Sequence, residues 1–261
     1  MKISIARGTT AAFSAIAILA GTASQVFATD ATTTIAERSD HSANPAAYAN
    51  YLRHSPQEGA ADALKKFQHL TQAEQNKFIG YLHDPALLKS LLDKTADQGS
   101  QLTASSRNAS STTSLRNGDV TIGKERTISG LSAAAKKPLP SGNHTVKYNA
   151  YLKFFGITVI KLSLWVDFHS NGRDITKVNS ANAGKKNLSG VINISKGVPQ
   201  KSLSKWKWCK NGHCTEGHNA DASVIWEGTI VFKGSTFQID KEQWMRANVY
   251  GSLINYSLKN V

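Results

Sequence analysis

Cysteine is scarce here. The chain has two cysteines in 261 residues, Cys209 and Cys214, so at most one bridge can form within it. Long apolar runs are also missing. The stretch Ala11–Ala20 is apolar but falls short of the roughly 20 residues needed to span a bilayer. No cysteine lies directly after it, where a bacterial lipoprotein anchor would need one. Acidic residues are few, 18 against 31 lysines and arginines, for a formal net charge of +13. Residues 185–210 hold seven lysines and no acid at all.

The motifs of common catalysts are absent too. There is no G-x-S-x-G elbow, H-E-x-x-H pair, P-loop or dinucleotide fingerprint. A Cys–His protease needs a free cysteine, and both cysteines are expected in a disulfide. Asp167, Asp221 and Glu227 read as solvated carboxylates on or near strands. His213, Glu216 and His218 read as a polar turn, because zinc sites use tighter, repeated ligand spacing and a disulfide removes the thiolates. The reading leans away from an enzyme and calls for no metal or cofactor.

What is present begins with an export signal. Lys2 and Arg7 precede the apolar stretch, and Val26-Phe27-Ala28 offers small or moderate residues for cleavage after Ala28. The chain is therefore expected to be secreted and extracellular, a compartment that preserves disulfides. Residues 29–40 read as a disordered leader. Residues 41–98 read as a small helical module. Asn44-Pro45 caps its first helix, Ser55-Pro56-Gln57-Glu58 and Thr71-Gln72-Ala73-Glu74 form capping boxes, and Asp84-Pro85 opens a fourth helix, giving 45–53, 56–68, 72–82 and 85–93. Residues 99–142, rich in Ser, Thr and Gly, read as a flexible linker.

From 143 to 261 apolar residues alternate with period two. Tyr148, Ala150, Leu152 and Phe154 share one face, as do Ile160, Leu162, Leu164, Val166 and Phe168. The fold class is thus α+β as a whole, with a C-terminal antiparallel all-β sandwich or barrel. This zone carries sixteen basic and seven acidic residues, whereas 41–98 is balanced at six of each.

The Lys205-Trp206-Lys207-Trp208-Cys209-Lys210-Asn211-Gly212-His213-Cys214 stretch carries most of the functional signal. Its two cysteines bracket a turn and predict the Cys209–Cys214 disulfide. On a strand, Trp206 and Trp208 face one way and Lys205 and Lys207 the other. The expectation is that the tryptophans join the core beneath a basic outer face. Lys185, Lys186, Lys196, Lys201, Lys205, Lys207 and Lys210, with Trp206 and Trp208, are the candidate binding residues.

The segment F-x-x-L-T-x-x-E-Q-x-x-F-x-x-Y-L-x-D-P from Phe67 to Pro85 resembles a helical module of uncharacterised secreted proteins of Gram-positive actinobacteria. Phe154–Thr158 (FFGIT) and Leu162–Val166 (LSLWV) are similar to their β-domains. These motifs are structural, and the resemblance implies no activity and no site residue.

Secretion, lysine richness and the lack of a catalytic motif point first to a non-enzymatic binding protein. Its basic β-domain would adsorb to an anionic polymer or an anionic membrane surface. A membrane-active toxin or antibacterial effector with a helical pro-segment is the alternative. A protease inhibitor presenting the disulfide hairpin is a third. Nucleic acid ranks last, since an exported protein seldom meets it. No residue pattern names a small-molecule substrate or an oligomeric state.

Overall fold

Capping chemistry sets the first helices. In the computed structural model, which describes residues 41–84, 86, 87, 90, 108–129, 137–232 and 235–261, α1 spans Pro45–His54. The Asn44 side chain accepts from the Ala47 N–H at 2.9 Å. α3 (Gln72–Leu82) carries the expected box: Thr71 Oγ1 accepts from the Glu74 N–H, and Glu74 accepts from the Thr71 N–H at 2.8 Å.

The second start differs from expectation. The Ser55 hydroxyl accepts from the Gln57 N–H two residues on, in a local turn that competes with a helix cap. No box forms, and α2 (Ala60–Gln68) begins behind Gly59, whose φ of +76° suits glycine. The expected signal and leader lie outside the described residues. So does most of the fourth helix, of which Ala86, Leu87 and Ser90 are helical.

Ten strands follow among the described residues: β1 Asn108–Leu115, β2 Val120–Ser129, β3 Ser141–Phe154, β4 Ile157–Asn171, β5 Ile175–Asn187, β6 Ile192–Lys196, β7 Gln200–Lys210, β8 His213–Phe232, β9 Ser235–Ala247 and β10 Leu253–Asn260. All pair antiparallel, in two sheets. The first is a meander in the order β1-β2-β3-β4-β5. The second runs β10-β9-β8, with β6 and β7 sharing the other side of the long β8. The predicted faces hold: Tyr148, Leu152, Phe154, Leu164, Val166 and Phe168 are all fully buried. With Ala220, Ala222, Val224 and Trp226 of β8, they form a sandwich core.

The linker expectation needs correction. Residues 108–129 are strands rather than tether, with β2 pairing β3 over ten positions. The composition misleads because β1 is an outer strand, exposed from Ser110 to Ser114, and need bury little. β2 contributes Val120 and Ile122 to the core. Its buried Arg126 donates to the Gly251 carbonyl at 3.3 Å. Residues 99–107 and 130–136 lie outside the described residues.

The helices are not tethered either. They close the end of the sandwich that carries the β1–β2 and β3–β4 turns. Phe78 sits edge-on to Phe154 at 5.4 Å, and Tyr81 packs on Phe154 and Phe155. The Tyr48 hydroxyl donates to the Leu188 carbonyl at 2.7 Å, and Tyr81 donates to Asp119 at 2.8 Å. One continuous buried cluster joins helices and sheets. Among the described residues no helix is long and apolar enough to cross a membrane.

Candidate functional site

The end of the sandwich opposite the helices carries the β4–β5 turn at 172–174, and from it rises the β7–β8 hairpin. β9 pairs with β8 from Phe232 back to Ala220 and ends there, at Ala247. Among the described residues, 205–218 therefore pair only with one another, as a two-stranded ribbon. Its turn is Asn211-Gly212, both at positive φ (49° and 76°), the backbone that matches a tight hairpin to strand twist. Cys209 and Cys214 are cross-strand partners joined by a disulfide that pins the register beside this turn.

This geometry overturns the expected placement of the tryptophans. Trp206 is 36% and Trp208 58% exposed, against 2% for the core Trp226. The faces do separate as strand alternation requires, but in the reverse sense. Leu203 and Lys201 pair with the core-facing Ala220 and Ala222. The lysine face of the ribbon thus continues the inner face of the sheet, and the tryptophan face continues its outer face. Lys210, by the same alternation, lies on the tryptophan side. The core does not extend to the ribbon, because no opposing strand covers residues 205–216, all of them exposed.

Trp206 is held in place by what it lies on. A Cβ built at its partner Gly217 would stand 2.9 Å from the indole Cζ2 and 3.0 Å from Asp174 Oδ1. Asp174 fixes the base of the ribbon: its carboxylate accepts from the His218 backbone N–H at 2.8 Å and meets His218 Nδ1 at 2.7 Å. Burial works to raise the Asp174 pKa. The bonds from the His218 ring and backbone, and from the Ile175 N–H, outweigh it and hold the carboxyl below its ordinary value. Nothing in the sequence pattern marks Asp174 for this role, because its partner is 44 residues away.

The seven candidate lysines divide in two. Lys205, Lys207 and Lys210 stand exposed on the ribbon. The others serve the fold. β5 is the last strand of its sheet, and ammonium groups bridge it to the second sheet where a ladder is missing. Lys185 of β5 donates to the Ile194 carbonyl of β6, Lys196 of β6 returns a bond to the Ala183 carbonyl at 3.1 Å, and Lys201 of β7 reaches the Asn179 carbonyl. Lys186 lies against Gly59, where any side chain would run into it. Its pKa is lowered by burial, with Asp62 and Glu58 pulling the other way.

Elsewhere on the outer face of the second sheet, Arg246 forms a two-point ion pair with the buried Asp221 and lies over the Trp244 ring. A groove of about 300 Å³ between the helices is lined by Asn44, Phe67, Gln72 and Gln75 among others, with no titratable group. It lies at the opposite end from the ribbon. Among the described residues no group of three or more His, Cys, Asp or Glu side chains is placed to hold a metal ion.

No family model, curated protein or solved structure matches this chain. The functional reading rests on its own residues.

Proposed function

We propose that this chain is an exported, non-enzymatic binding protein that adsorbs to an anionic extracellular or cell-wall surface through the β7–β8 ribbon. The observation that carries the reading is the exposure of Trp206 and Trp208 on a ribbon that also holds Lys205, Lys207 and Lys210. Exposed tryptophans are common anchors of recognition surfaces, and clustered lysines draw in anionic partners. The export signal read in residues 1–28 and the excess of positive charge agree with a partner that is outside the cell and negative. A toxin that sheds a helical pro-segment is less well supported, because Phe78 and Tyr81 cover Phe154 at the sandwich end.

Retention of the full chain on isolated bacterial walls and on anionic beads, measured over a salt series, tests this. Charge attraction between exposed groups fades as the Debye length shrinks, about 8 Å at physiological ionic strength. Retention should fall steeply with salt, and the triple variant Lys205→Gln, Lys207→Gln, Lys210→Gln should be retained at least tenfold less. Salt-independent retention, or an unaffected triple variant, would sink the proposal.

A further inference from the structure

We infer that the surface this ribbon meets is the headgroup layer of an anionic lipid bilayer. The inference rests on the ribbon being the docking element, and it names the partner.

Among the described residues no other strand pairs with residues 205–218. Tryptophans project from one side of residues 205–210 and Lys205 and Lys207 from the other, and both sides are open to solvent. A polymer strand or a flat protein surface lies against one side. It would meet either the indoles or this pair of lysines. A fluid layer that surrounds the ribbon meets both at once. Indoles favour the boundary between headgroups and acyl chains, because each ring has an apolar body and one N–H that must stay wet. Lysines place their stems along apolar surface and their ammonium groups among phosphates.

Dimensions and chemistry limit the depth. Lys210 lies about 7 Å nearer the turn than Trp208. That distance matches the polar layer of one leaflet, about 5–8 Å, so the ribbon lies along the headgroup layer rather than entering tip first. The turn itself is Lys210-Asn211-Gly212-His213, too polar to enter hydrocarbon. Docking is therefore shallow and leaves the bilayer sealed. A second copy of this chain fits the ribbon poorly. The open edge of β7 carries Lys201, Lys205, Lys207 and Lys210 and no acid, so two such edges would repel each other.

Co-sedimentation of the full chain with vesicles of phosphatidylcholine, with or without phosphatidylglycerol, tests this beside retention on polyphosphate beads. The expected result is binding to the phosphatidylglycerol vesicles alone. Iodide quenching should drop on binding, and brominated lipid should quench the emission. The double variant Trp206→Ala, Trp208→Ala should bind vesicles at least tenfold more weakly. Bead retention without vesicle binding would overturn the lipid inference and leave the proposed function standing. Absence of both would overturn both. Vesicle binding by the double variant equal to the parent, or tryptophans already shielded by self-association in light scattering without lipid, would also overturn it. Brominated-lipid quenching uses the unaltered chain, so the test does not depend on any variant folding.

Discussion

At Gly217 the lack of a side chain is what lets the Trp206 indole lie across the neighbouring strand. A Cβ there would come within 2.9 Å of the ring and 3.0 Å of Asp174, closer than side-chain carbons tolerate. Gly217→Val should push the indole off its seat and disturb the Asp174–His218 contact. We expect more tryptophan emission to become quenchable by iodide and a loss of about 1–3 kcal/mol in stability. If quenching does not change, Trp206 is not seated on this glycine. The lysines give the complementary lesson. Lys185, Lys196 and Lys201 look like members of one basic patch in the sequence. Their bonds to backbone carbonyls across β5, β6 and β7 make them part of the frame. A buried or edge carbonyl needs a donor, and here an ammonium on a flexible stem supplies it.

At the scale of elements, strands packed on a core could be read well in advance. β3 and β4 alternate in their apolar residues, and their predicted faces are buried, with Asn149, Tyr151 and Ser163 of the opposite faces buried as well. β1 could not, because an outer strand of Ser and Thr has the composition of a linker. The ribbon was half legible. Alternation separates Trp206 from Lys205, but whether either side is covered depends on how far the opposing sheet reaches beneath the hairpin, a long-range fact no local pattern encodes. The disulfide acts on this element more than on the whole. It closes a loop with a sequence separation of 5, so its contribution should lie at the low end of the usual 2–4 kcal/mol. Reduction should therefore lower the melting temperature by only a few degrees while amide exchange rises across 205–218. Equal exchange in the oxidised and reduced chains would show that the bridge does not hold the ribbon.

The whole molecule is organised around one continuous core with distinct ends, the helices covering one and the ribbon standing free at the other. Phe78 links the aromatic pair Tyr48 and Phe67 to Phe154 of the sandwich. Phe78→Ala should cost about 3–5 kcal/mol, and helix and sheet signals in circular dichroism should melt together. Separate transitions would mean that the helices fold on their own. At the free end, the extended ribbon offers proteases an accessible backbone after Lys205, Lys207 and Lys210. These cuts are not equivalent. A cut after Lys205 or Lys207 lies outside the Cys209–Cys214 bridge and leaves two fragments held only by non-covalent packing. A cut after Lys210 lies inside it, so the nicked chain stays one covalent molecule until it is reduced.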